Sequence, residues 1–253
     1  MKTSSVPVSV IILTHRSDER FVRALASAQP AKEVLIVDFN SNNDWHQLQK
    51  QFHFKYTNQP TQIRNFSTER NRALQRAHHE WVFFLDSDEV IRGDSWGEIE
   101  HIIRSSEFDG VYVRRRDLFH GKMLRHGETG STWVLRLMKK SASQFTRPVH
   151  EIAQVKGKTA RSKIVLLHNA HLSLTEFLTD ITQYAKLEAE YQTDAKLPLS
   201  LLGVKTVLYP KLKFLVNYFL KLGFLDGWRG VAYAVMMSLH SLFVRVFAYE
   251  NRQ

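Results

Sequence analysis

Three carboxylates stand almost side by side at Asp86, Asp88 and Glu89, with only Ser87 between the first two. Before them runs Trp81–Leu85 (WVFFL), an unbroken apolar stretch too short for a helix. Such a run predicts a strand buried on both faces, as in a largely parallel sheet. The acids then lie at the C-terminal edge of that sheet, where open α/β folds bind ligands. Hard oxygen ligands at such an edge suit Mg²⁺ or Mn²⁺ held together with a substrate diphosphate. The plainer alternative is that the acids cap the next helix.

The elements that must position these groups follow a regular order. Val8–Leu13 (VSVIIL) predicts a first buried strand, and Ser17 an N-cap for a helix carrying Phe21, Val22, Leu25 and Ala28 at helical spacing, closed by Pro30. Glu33–Asp38 (EVLIVD) predicts a second strand, again ending in a carboxylate. A polar turn over Phe39–Asp44, a helix over Trp45–Phe52, a short strand over Phe54–Tyr56 and a helix over Arg64–Ala77 lead into the Trp81 strand. This alternation is the pattern of parallel βαβ units with right-handed crossovers. No G-x-G-x-x-G follows the first strand and no P-loop motif occurs, so neither a dinucleotide site nor a P-loop is supported.

After a helix over Ser95–Ser105 the pattern changes. Gly110–Arg114, Phe119–Leu124, Val134–Met138 and Ile164–Leu167 predict short strands that add mixed or antiparallel pairing, followed by a helix over Thr175–Thr193 that Pro198 breaks. Lys213–Phe224 and Val231–Tyr249 are apolar, aromatic-rich segments flanked by lysines and arginines. They predict helices lying in a membrane interface; a helical hairpin on the core or an oligomer interface is the alternative.

The chain has 253 residues, is 43% hydrophobic and contains no cysteine. That is enough for one large α/β domain with an appendage, and it excludes a disulfide framework, a thiolate metal site and a cysteine nucleophile. The N-terminus lacks the features of a signal peptide. A formal net charge of +10 implies an anionic partner: nucleic acid, an acidic membrane surface or a phosphorylated substrate. Nucleic acid is disfavoured, because the buried strands end in acids and no helix-turn-helix, zinc-finger or RNP motif is visible.

The ordered set VSVIILTHR, EVLIVDFNSNND, ERNRAL and EWVFFLDSDE resembles the inverting family 2 glycosyltransferases of the GT-A fold. RRRDLFHGKMLRHGE, WVLRLMKK, RPVHE and LGFLDGWRG extend the resemblance toward lipopolysaccharide inner-core β-1,4-glucosyltransferases. One departure stands out: where the family runs D-S-G-S-T-D, this chain has Asp38-Phe39-Asn40-Ser41-Asn42-Asn43-Asp44. Asn tolerates the left-handed backbone that the missing glycine would adopt.

The resemblance implies a GT-A, Rossmann-like, mixed and mostly parallel sheet flanked by helices, with a C-terminal helical extension. It implies a transferase domain over 1–197 (a nucleotide-binding half over 1–90, an acceptor-side half over 91–197) and a membrane-association extension over 198–253. Thr14 would sit against the nucleoside, Asp38 would accept a hydrogen bond from uracil or ribose, and Arg70 would contact the nucleotide. Asp86 would hold the ribose or a metal-bound water, and Asp88 would ligate Mn²⁺ or Mg²⁺ directly. Glu89 would support that site or cap a helix. His168 is the expected late metal ligand, with His150 as its rival. Glu151, in the H-E pair after Arg147-Pro148, is the expected general base, with Asp117 and Glu128 as alternatives. Arg114, Arg115 and Arg116, with Lys122 and Arg125, could bind diphosphate or a phosphorylated acceptor. The expected reaction moves a hexose, glucose first, from a UDP-sugar to a lipid-linked saccharide of the lipopolysaccharide inner core; UDP-GlcNAc or UDP-Gal for another envelope polysaccharide is the alternative. The expected location is the cytoplasmic face of the inner membrane, peripherally bound, with no nucleic-acid partner.

Overall fold

A computed structural model of the protein describes residues 5–59, 66–130, 132–146, 152–191 and 198–251. The fold is α/β: a nine-stranded mixed sheet flanked by helices, with a helical C-terminal extension. The chain divides into two compact units, Met1–Arg115 with Trp133–His168, and Arg116–Thr132 with Asn169–Gln253.

The first unit begins with β1 (Val6–Thr14), α1 (Glu19–Ser27), β2 (Ala31–Asp38), α2 (Trp45–Gln51), β3 (Lys55–Asn58), α3 (Phe66–Arg76) and β4 (Trp81–Asp86). The strands pair in the order β3-β2-β1-β4, all parallel. Burial on both faces explains why β4 reads as an unbroken apolar run up to Asp86 and β1 as an apolar run interrupted only by Ser9 before Thr14. Val8, Val10, Ile12, Phe83 and Leu85 pack in one cluster with Phe21 and Leu25 of α1, while Ile11, Val82 and Phe84 pack in another with Leu74 of α3. A slip of one residue would exchange the two sets.

The N-cap of α1 is Asp18, not Ser17: its carboxylate accepts from the Arg20 amide at 3.0 Å and from the Arg20 side chain at 2.9 Å. A charged cap also gains from the helix dipole, which a serine does not.

β5 (Glu89–Ile91), α4 (Trp96–Ser105), β6 (Gly110–Phe119), β7 (Lys122–Met123), β8 (Thr132–Lys139), β9 (Ser143–Thr146), β10 (Ile152–Val155) and β11 (Thr159–His171) follow. The sheet continues past β4 as β8-β6-β11-β5, with β8 antiparallel to β4 and β11 antiparallel to β5. Glu89 therefore opens a strand rather than capping a helix. The β9–β10 ribbon is a separate antiparallel pair that apolar periodicity does not reveal, because most of its side chains are half-buried or exposed.

In the second unit, β7 folds back on the end of β6 through His120 and Gly121, both at positive φ (47° and 72°). Phe119, Leu124, Phe177 and Ile181 form its core against Tyr233, Met236 and Met237. The helices are α5 (Leu174–Tyr191), α6 (Leu199–Leu215) and α7 (Trp228–Glu250), with a π turn over Val216–Leu220 after α6. Helix α6 thus starts well before the expected Lys213. Only glycine fits at Gly230, since a Cβ there would lie 1.8 Å from the Gly223 carbonyl oxygen.

The structure separates the two apolar C-terminal segments. Helix α7 packs against both α5 and α6. It buries Arg245, which donates to the Ser241 carbonyl (2.7 Å) and lies 3.8 Å from the centroid of the Tyr209 ring. Half of the large exposed apolar side chains among the described residues lie instead on α6 and the turns that follow it. By length and composition α7 is the one helix among the described residues able to cross a bilayer.

Candidate active site

Strand register assembles one edge of the first unit. Thr14 of β1 pairs with Asp38 of β2, Asp38 pairs with Asn58 of β3, and Asp86 of β4 lies opposite Leu13. Thr14, Asp38 and Asp86 therefore share the C-terminal edge of the parallel strands, the ligand-binding edge of such sheets.

The loops leaving β1 and β2 are tied together by short polar side chains. The Thr14 hydroxyl accepts from the Arg16 amide (2.9 Å), and Asp38 Oδ1 accepts from the Ser41 amide (3.0 Å). Asn43 Nδ2 donates to the Arg16 carbonyl and to Ser41 Oγ, both at 2.7 Å. Asn40 has φ 58°, so asparagine takes the left-handed position where the motif usually has glycine.

Beyond β4 a buried ionic network forms. Asp86 Oδ1 accepts from Arg70 Nη2 at 2.8 Å, and its other oxygen accepts from Arg136 Nη2. Arg136 Nη2 also donates to Glu89 Oε1 at 2.7 Å, and the Asp86 amide donates to Glu89 Oε2 at 3.2 Å. The Arg70 guanidinium lies 5.4 Å and 5.5 Å from the Phe84 and Phe145 ring centroids. Asn71 holds Phe145 in place by bonding its backbone in both directions. Burial alone would raise the Asp86 pKa, but the guanidinium groups of Arg136 and Arg70 more than offset it and hold the carboxyl well below the usual range. Glu89 is fully buried, and burial pushes its pKa up against the pull of Arg136.

A depressed acid pKa contributes stability above the unfolded pKa and loses it as pH falls toward the folded one. The destabilisation caused by Asp86→Asn should therefore shrink as pH drops below about 4. Urea unfolding of both proteins at neutral and acid pH measures this, and a pH-independent difference would refute it.

Asp88 lies in the turn between β4 and β5. Its Oδ2 is 3.5 Å from Arg16 Nη2 and its Oδ1 is 3.7 Å from His168 Nε2. His168 reaches this point because it pairs in register with Glu89 across β11 and β5.

A sequence model described as glycosyl transferase family 2 matches residues 9–176. The chain belongs to that family. Solved structures similar to this transferase include S. aureus TarS, at 16% identity with a TM-score of 0.48. A shorter form, TarS 1-349, gives 16% identity and a TM-score of 0.49, and its complex with UDP-GlcNAc gives 16% and 0.48. Each match covers 97% of this chain, with 54% of the first TarS chain and 91% of each shorter one. This chain thus spans about half the length of that first TarS chain.

Family 2 transferases of the GT-A type are often metal-dependent, and the donor set can be tested for fit. Among the described residues no group of three His, Asp or Glu side chains converges on one point. Asp88 and His168 do converge, as one hard oxygen and one imidazole donor. Ions such as Mg²⁺ commonly use one or two protein ligands and take the rest from substrate phosphates and water, so this pair fits a cation that arrives with a diphosphate.

Glu151, His150 and Arg147 lie outside the described residues of this transferase. Glu128 accepts from Lys213 Nζ at 2.6 Å. The run Arg114–Arg116 does not act as one patch. Arg115 acts electrostatically on Glu89, Arg116 donates to the Gly130 carbonyl, and Arg114 lies over the Trp133 ring.

Two residues of the site escaped the sequence reading. A lone arginine inside the apolar strand VLRLM requires a buried counter-charge, and that is the signal by which Arg136 could be found. Arg16 carried no signal, because its approach to Asp88 depends on two loops meeting.

Proposed function

We propose that this family 2 transferase moves a sugar from a UDP-sugar to a saccharide acceptor of the cell envelope while bound to a membrane surface. The observation that carries the reading is the shared edge: Asp38, Thr14 and Asp86 end the adjacent parallel strands β2, β1 and β4, and Asp88 stands in the turn after β4. Its span suits a nucleoside at Asp38 and a diphosphate at Asp88. Asp86, engaged by Arg70 and Arg136, is a rigid wall against which the ribose can be held.

The charge balance supports a cation. Arg16, Arg70, Arg115 and Arg136 oppose Asp86, Asp88 and Glu89, four against three. An added diphosphate would leave net negative charge. Asp88 and His168 would hold Mn²⁺ or Mg²⁺, which supplies Lewis-acid stabilisation of the departing diphosphate. Glu151 would take the proton of the acceptor hydroxyl, and in-line attack would invert the anomeric centre.

We take the donor broadly. Glucose transfer to the lipopolysaccharide inner core rests on motif resemblance alone. The family assignment equally admits UDP-GlcNAc or UDP-Gal and another envelope polysaccharide, so this wider reading replaces the narrower one.

Calorimetric titration with UDP, with Mn²⁺ and then with EDTA, tests the donor site, followed by turnover with UDP-Glc, UDP-Gal and UDP-GlcNAc. Asp88→Asn should abolish the metal-dependent part of UDP binding. Unchanged metal-dependent binding in that variant would sink the role of Asp88, and no UDP binding by the folded wild-type protein would sink the donor reading.

Membrane attachment is assigned to α6 and the turns after it. Leu208, Leu212, Leu220 and Leu225 are each more than half exposed, and Lys211 and Lys221 stand among them. Exposed leucines between lysines suit an anionic lipid interface. The double substitution Leu212→Glu with Leu220→Glu should reduce co-sedimentation with phosphatidylglycerol-containing vesicles. Undiminished binding would refute the assignment. Point charges are the cleaner test, because removing residues 205–253 would strip Tyr233 and Met236 from the Phe119 and Phe177 core.

A further inference from the structure

Arg114 of β6 and Arg161 of β11 converge on one ring, that of Trp133 on β8. Their guanidinium carbons lie 5.9 Å and 5.1 Å from its centroid. The three strands are neighbours in the order β8-β6-β11. No carboxylate pairs with either arginine among the described residues, and Arg114 Nε is buried without a hydrogen-bond partner. Arg115 acts on Glu89, and successive strand residues point to opposite faces, so Arg114 points away from Glu89.

A cavity of about 620 Å³ adjoins the cluster. Tyr112, Leu135 and Thr159 line it, and each stands two residues from Arg114, Trp133 or Arg161 on the same strand. Side chains two apart share a face, so cavity and cluster form one surface. Ser143, Gln144 and Lys156 line the cavity further along, and Ser143 Oγ is buried without a partner.

Two like charges over one indole repel each other, and a stacked guanidinium keeps its in-plane N–H donors for an anion. Two such groups match a phosphate; the hydroxyl and amide lining beside them matches sugar hydroxyls. We propose that the Arg114–Trp133–Arg161 face and its cavity form a second binding site, for a phosphorylated saccharide. The proposal goes beyond the transferase reading and does not depend on it.

Calorimetric titration with glucose 6-phosphate in the presence of UDP tests the site, with glucose and oligothymidylate as comparisons. Saturable glucose 6-phosphate binding is expected, weakened about tenfold or more by Arg114→Gln with Arg161→Gln. UDP binding by the same variant should be unchanged, which separates failure here from failure of the donor site. Arg161→Gln alone, at an exposed position, should give a smaller loss without disturbing the fold. Absence of glucose 6-phosphate binding, equal binding of glucose, or full binding by the arginine variants would overturn the proposal. Tighter binding of oligothymidylate that the same substitutions abolish would assign the face to nucleic acid instead.

Discussion

Arg136→Met is expected to destabilise the protein by about 3–5 kcal/mol, the range for removing one partner of a buried ion pair. Arg136 holds Asp86 and Glu89 together, and Glu89 has no exposed surface. Without the guanidinium, Glu89 must either keep an uncompensated charge or take up a proton. The companion double substitution, Arg136→Met with Glu89→Leu, should recover much of the loss, because an apolar replacement of a whole buried pair is often close to neutral. Urea unfolding measures both. A loss below about 1 kcal/mol for Arg136→Met would show that the network is solvated, since that is the range of exposed pairs.

Glu151→Gln should lower kcat by roughly 10²–10⁴, the usual contribution of a positioned general base. UDP affinity should be unaffected, because the nucleotide is assigned to Asp38, Asp86 and Asp88. The substitution keeps the shape of the side chain and removes its basicity. Single-turnover transfer together with UDP titration separates the two effects. Turnover close to wild type would remove Glu151 from the mechanism and return Asp117 and Glu128 to consideration; a parallel loss of UDP affinity would make Glu151 part of the donor site.

The ionic network also constrains how the donor site works. Asp86 already accepts from two arginines, so it resembles a fixed strut more than a free ligand. Asp88, two residues beyond the strand, has longer contacts of 3.5 Å and 3.7 Å. Of the two aspartates in the motif, Asp88 is the better placed to exchange those contacts for a cation and a diphosphate.

Much of the fold was legible in the residues themselves. VSVIIL, EVLIVD and WVFFL are apolar at most of the register positions that the sheet buries, with Ser9, Glu33 and Asp38 as the buried polar exceptions, and they belong to β1, β2 and β4. Burial on two faces leaves that mark in any sequence. Helices α1 to α4 were legible through their spacing, with errors confined to caps, as at Asp18. Where one face meets water the mark fades. The β9–β10 ribbon was missed, and the 13 residues of β11 were read only at their apolar centre, Ile164–Leu167.

For the site, the sequence alone determined the chemical groups: carboxylates after buried strands, and a histidine at the end of a later one. It also determined the family, since ordered motifs along one chain are a linear property. Tertiary structure alone decided which groups meet. His168 reaches Asp88 because β11 runs antiparallel to β5, and Arg136 crosses 50 residues of chain to join Asp86. The sorting of Arg114, Arg115 and Arg116 was likewise invisible in the sequence, where they form one basic run. A strand sends alternate side chains to opposite faces, and which face meets an acid, a carbonyl or an indole depends on the neighbouring strands. Periodicity reports how each segment is buried; the partners of a charge follow from pairing between segments distant in the chain.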